Sequence, residues 1–145
     1  MDATEINLTR IVRAPRKKVF DAWTEARQIE KWWGPGPVTC PAAGVDLKPG
    51  GHYFIENLAP DGTRTVFRGE FELVDVPNKL VYSWFINAEP TGANGSRVTV
   101  EFRDHPDGTE ILLRHERLPT PEVIAMHLEG WEGCLDGLED YLAAN

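Results

Sequence analysis

The chain is poor in cysteine, poor in cations, and free of long apolar runs. Its two cysteines, Cys40 and Cys134, stand far apart and outside any metal-ligand spacing. Nothing in that spacing asks for a disulfide, and the default reading is a reduced, cytoplasmic protein. Fifteen Lys and Arg face 23 Asp and Glu, for a net charge of −8. No Lys or Arg follows Arg117. A duplex-binding face needs a positive patch to release counterions, so nucleic acid is not an expected partner. The same sign argues against an anionic membrane surface. No apolar run approaches the roughly 18–20 residues of a membrane span. The opening Met1-Asp2-Ala3-Thr4-Glu5 is acidic and lacks the basic-then-apolar pattern of a signal peptide. A nucleophile elbow, a phosphate loop, a dinucleotide fingerprint and the HxH or HExxH spacings are all missing, so neither a cofactor nor a metal is expected.

What is present is a globular composition. Of 145 residues, 41% are apolar and 26% charged, with five Trp, six Phe and three Tyr. This is the right length for a single domain, residues 1–145, with enough apolar side chains to enclose a core. The segment Thr4–Arg13 alternates, with Ile6, Leu8, Arg10 and Val12 on one side, and predicts a strand. Pro15 suits the first position of a helix whose apolar stripe is Val19, Phe20 and Trp23. Thr24 is placed to cap a second short helix burying Ile29 and Trp32 or Trp33, and Gly34-Pro35-Gly36-Pro37 stops it.

From Val38 to Arg117 the period is two. Turn signals at Pro49-Gly50-Gly51, Pro60-Asp61-Gly62, Pro77-Asn78, Gly92–Gly95 and Pro106-Asp107-Gly108 divide the segment into six strands. Connections this short make neighbouring strands antiparallel. Residues 121–143 then read as one helix: Thr120 is a good N-cap and Pro121 fits the first turn. Its apolar face carries Ile124, His127, Leu128, Trp131, Cys134, Leu135, Leu138, Tyr141 and Leu142, and its acidic face reads as a solvated surface. Gly130, Gly133 and Gly137 form a third flank, each costing about 1 kcal/mol relative to Ala in a helix interior. Such a flank either lets another segment approach closely or leaves room for a ligand beside Trp131.

The order β-α-α-β-β-β-β-β-β-α predicts an α+β protein. A curved antiparallel sheet of about seven strands wraps the long terminal helix, and two short helices follow the first strand. This order resembles the helix-grip fold of the START-like (SRPBCC) superfamily. The motifs Arg10, Ala14-Pro15, Val19–Thr24, Trp32-Trp33-Gly34-Pro35, Pro49-Gly50-Gly51, Asp61-Gly62-Thr63, Gly69, Leu80–Trp84, Gly108-Thr109, and His127 with Gly130-Trp131, Leu135, Leu138 and Tyr141-Leu142 run along nearly the whole chain. Together they resemble the AHSA-type branch of that superfamily, related to the C-terminal domain of the activator of the 90-kDa heat-shock chaperone ATPase. The resemblance implies the fold across nearly the whole chain. It also implies a range of roles: hydrophobic-ligand carriage, polyketide cyclase-like chemistry, self-sacrificing resistance, chaperone regulation in a stress response. Only three residues precede the first strand. The separate N-terminal domain that makes much of the activator's contact with its client is thus not expected here, and neither is stimulation of the chaperone ATPase.

The candidate site lies on the long helix. His127 is either a core histidine bonded to backbone or a polar group orienting a ligand in a cavity. A dyad partner would have to come from a strand, with Glu56, Glu70, Glu116 and Tyr82 as candidates. His52, His105 and His115 offer no pattern, and the face to which His115 belongs is undecided. Either thiol is expected to be buried and inert. Aromatic residues facing a cavity would make a flat-walled site for an aromatic ligand. The cavity candidates are His127, Trp131, Trp84, Trp33, Tyr82 and Glu56. The leading expectation is a binding module for a small hydrophobic or aromatic ligand rather than an enzyme. The alternatives are a cyclase- or hydrolase-like enzyme using the same cavity, and a chaperone ATPase regulator or other interaction protein. A homodimer is compatible with all three.

Overall fold

The computed structural model describes residues 4–34, 36–87 and 95–144. Seven strands and three helices follow in the order β1 (Ile6–Val12), α1 (Arg16–Thr24), α2 (Ala26–Trp32), β2 (Thr39–Val45), β3 (His52–Leu58), β4 (Arg64–Asp75), β5 (Lys79–Ile86), β6 (Ser96–His105), β7 (Gly108–Glu116) and α3 (Pro121–Ala144). All strands join one antiparallel sheet, β1-β7-β6-β5-β4-β3-β2. The meander β2–β7 follows from short turns. β1 pairs with the far end of the chain, Ile6 opposite His115 and Val12 opposite Thr109.

The sheet curls because its pairing is locally irregular. Register shifts fall between Thr39 and Ala42 on β2 and between Phe71 and Leu73 on β4, and such bulges bend a strand and increase its twist. At Gly69 a side chain would run into the Ser83 carbonyl and the Tyr53 ring, so β4 can pass close there only without a Cβ. The concave face collects every second residue. Leu80, Tyr82, Trp84 and Ile86 on β5, Val98, Val100 and Phe102 on β6, and Ile111, Leu113 and His115 on β7 are buried. Burying one such large apolar side chain contributes about 1.5–3 kcal/mol.

α3 lies in this concavity. Trp131, Cys134, Leu135, Leu138 and Leu142 are buried, as the helical spacing requires. Thr120 caps α3 as expected, its Oγ1 accepting from the Val123 N–H at 3.2 Å. The acidic face is not wholly solvated, since Arg10 donates to Asp136 at 2.8 Å and to Glu139 at 3.2 Å, tying the first strand to the last helix.

Two local expectations are corrected. Pro15 is the N-cap of α1 rather than its first helical residue. Thr24 closes α1 instead of capping α2: its hydroxyl donates back to the Phe20 carbonyl at 2.9 Å, and Glu25 stands at the α2 N-cap position. A Thr hydroxyl can bond either forward as a cap or back to the i−4 carbonyl, and in a buried helix end the nearby carbonyl wins.

The glycine flank of α3 divides in two. A Cβ on Gly137 would lie 2.6 Å from the Trp32 carbonyl oxygen, so this glycine lets α2 approach α3. A Cβ on Gly130 would meet nothing within 4 Å.

Candidate functional site

Gly130 opens onto a cavity of about 410 Å³ between α3 and the sheet. Its aromatic wall comes from four elements: Trp33 just after α2, Phe67 on β4, Trp84 on β5 and Trp131 on α3. Trp84 meets Trp131 at 5.3 Å and Phe67 at 4.8 Å between ring centroids, and Trp33 meets Trp131 edge-on at 5.6 Å. Asn57, Thr65 and Ile86 complete the sheet side; Val123, Met126, His127 and Cys134 complete the helix side, with Glu122 at its edge. Among the described residues no Lys or Arg lines it.

Two indoles lock two imidazoles behind this wall. Trp84 Nε1–H donates to His127 Nε2 at 3.3 Å, so the His127 proton sits on Nδ1 and is donated to the Val123 carbonyl at 2.9 Å. Trp131 Nε1–H donates to His115 Nδ1 at 3.1 Å, which leaves His115 Nε2–H to donate to Ser96 Oγ at 2.8 Å. An indole nitrogen is only ever a donor, so each contact fixes the tautomer of the ring it meets. The two imidazoles pack edge to face, 5.1 Å between centroids. Burial, then the neighbouring His127, push His115 down to about 3. Burial holds His127 below its ordinary range, against the opposing bond to Val123. Both rings are therefore neutral near pH 7, and protonation would bring an N–H against an indole N–H.

The expected cavity residues thus separate. His127, Trp131, Trp84 and Trp33 are brought together. Tyr82 and Glu56 are not. Tyr82 lies one pleat repeat, about 7 Å, further along β5, where it accepts from Trp23 Nε1 at 3.4 Å and packs on Tyr53 and Phe71. Glu56 falls on the opposite side of β3 from Asn57 and is ion-paired with Arg64. None of the four expected dyad partners meets His127, whose two ring nitrogens bond Trp84 and Val123. Sequence reasoning missed Asn57 and left the face of His115 undecided. Each carries a legible signal, since Tyr53-Ile55-Asn57 and Ile111-Leu113-His115 are inward rows of a period-two pattern. Burial raises the Cys134 thiol to about 12 and Cys40 to about 11, which makes both poor nucleophiles. Among the described residues no cluster of metal-ligating side chains occurs, and no helix is long and apolar enough to cross a membrane.

A curved antiparallel sheet gripping one long C-terminal helix over an aromatic-walled cleft defines an α+β protein of START-like, helix-grip architecture. Solved structures share it. A protein from Chromobacterium violaceum superposes with a TM-score of 0.85 at 22% identity, covering 95% of this chain and 96% of that one. The AHSA1-like protein from Aeromonas hydrophila gives 0.81 at 26% identity, covering 97% and 92%. The AHSA1 protein from Silicibacter pomeroyi gives 0.83 at 23%, covering 97% and 98%. The chain belongs to the family described as Activator of Hsp90 ATPase homolog 1-like protein, whose model matches residues 13–143. No curated protein matches it.

Proposed function

We propose that the protein is a binding module for a small apolar molecule, held between α3 and the sheet. The observation that carries this reading is the cavity walled by Trp33, Phe67, Trp84 and Trp131 and left open at Gly130. A cleft of about 410 Å³ with three indoles at its wall suits a flat aromatic occupant. Cytoplasmic location and a single-domain organisation belong to the same reading. An enzymatic role has less support, because the nitrogens of both nearby imidazoles are spent on partners within the protein.

The test is titration with a neutral fluorophore, N-phenyl-1-naphthylamine. Gly130→Leu projects a side chain into the open space without removing any core group, and should weaken binding by about tenfold or more, roughly 1.4 kcal/mol. Glu132→Ala, on the exposed face, should leave binding unchanged. Equal binding by both folded variants would place the site elsewhere.

A further inference from the structure

Buried polar atoms in a folded protein almost always have partners, and those without one ask for a reason. Four of the five indole N–H groups here are satisfied. Trp23 donates to Tyr82, Trp32 to the Ala22 carbonyl, Trp84 to His127 and Trp131 to His115. The fifth, Trp33 Nε1, is buried and bonds to nothing. The only other such buried side-chain atom among the described residues is Asn57 Oδ1. The two residues are 5% and 9% exposed. They come from different elements, and both line the same cavity. One is an orphaned donor and the other an orphaned acceptor.

We infer that the ligand is an uncharged molecule with a flat apolar body and a hydroxyl or carboxamide head, which accepts from Trp33 Nε1–H and donates to Asn57 Oδ1. The inference rests on the binding reading above and specifies its ligand. An unpaired buried donor or acceptor costs more than an ordinary hydrogen bond returns, so an occupant that satisfies both at once gains at both ends. A group that only accepts serves Trp33 and leaves Asn57 orphaned. An anion would be desolvated here without a partner, since no described Lys or Arg lines the space. The carboxyl group of Glu122 belongs to an exposed residue at the edge of the cavity, whereas the two orphaned atoms are buried. His127 adds no further capacity, its ring nitrogens being engaged with Trp84 and Val123.

The test uses five probes of one shape: naphthalene, 2-methoxynaphthalene, 2-naphthol, 2-naphthamide and 2-naphthoate. Each is titrated into ¹⁵N-labelled protein while the indole N–H signals are followed. The expected result is that 2-naphthol or 2-naphthamide binds about tenfold more tightly than 2-methoxynaphthalene. The better binder should shift the Trp33 N–H signal downfield, naphthalene should not, and 2-naphthoate should bind weakest. Asn57→Leu keeps the branched shape at Cγ and removes the acceptor. It should abolish the advantage of the hydroxyl or amide head while leaving naphthalene binding intact. If all the neutral probes bind alike, the cavity reading stands and the donor–acceptor head is overturned. Tightest binding by 2-naphthoate overturns it in the same way. If none of the five perturbs the cavity indoles, the binding reading falls and takes this inference with it.

Discussion

Gly130 and Gly137 lie seven residues apart on the same helix, yet alanine at the two positions should act in opposite directions. In a helix interior Ala is favoured over Gly by about 1 kcal/mol. At Gly130 the new methyl meets nothing within 4 Å, so Gly130→Ala should realise that gain and raise Tm by about 3 °C for a chain of this size. At Gly137 the methyl would sit 2.6 Å from the Trp32 carbonyl oxygen. Ordinary contact begins near ~3.5 Å, so α2 and α3 must part by about 1 Å. That interface also holds the Tyr141 hydroxyl bond to Gln28 at 2.9 Å, and nearby the Trp32 indole bonds the Ala22 carbonyl. Overpacking of this kind costs about 1–3 kcal/mol, which exceeds the propensity gain and leaves a net loss of about 1 kcal/mol. Urea unfolding followed by tryptophan fluorescence, with calorimetric Tm values alongside, should separate the variants by about 2 kcal/mol. Equal stability of the two variants would refute the division of the glycine flank into a contact half and a cavity half.

Acid should weaken the fold before the carboxylates titrate. His115 is held down to about 3 by burial and by His127, and His127 is also lowered by burial, whereas an unfolded histidine takes its proton near ~6.5. The unfolded chain therefore binds more protons below that pH. Stability is complete above ~6.5 and falls toward acid, by about 2 kcal/mol between pH 6.5 and 5 for His115 alone. Equal urea midpoints at pH 7 and pH 5 would contradict this. Trp131 is 3% exposed, stacks on Trp23 at 6.2 Å and holds His115 Nδ1. Trp131→Ala should cost about 3–5 kcal/mol in chemical denaturation, and a loss below about 1 kcal/mol would mean the aromatic wall can collapse into the space.

The strands and α3 were legible because period two and period 3.6 each ran unbroken between strong turn signals, as at Pro77-Asn78 just before β5. The site was legible only where a helix carried it. His127 and Trp131 lie one turn apart on an apolar face, so helical spacing alone placed them together. Tyr82 and Trp84 share one face of β5, and no local pattern says which of them borders the cavity; that depends on where α3 crosses the sheet. Asn57 escaped notice because a polar residue in an inward row is the exception to the rule by which rows are read. The indole–imidazole pairs join residues of different elements, Trp84 to His127 and Trp131 to His115, and spacing along the chain does not report such pairs.

The sheet order has a temporal side. β1 is an edge strand that pairs, among the described residues, with β7 alone, so the first strand waits for the last. The meander from β2 to β6 can zip hairpin by hairpin through local contacts, whereas the pairing of Ile6 with His115 must close a loop spanning most of the chain. The cavity waits equally long: Trp33, Asn57 and Trp84 are in place on the chain well before Trp131 and His127 arrive to cover them. Until α3 is laid down, a concave sheet face lined with large rings stands open to any apolar surface nearby. This protein is most adhesive just before it is finished.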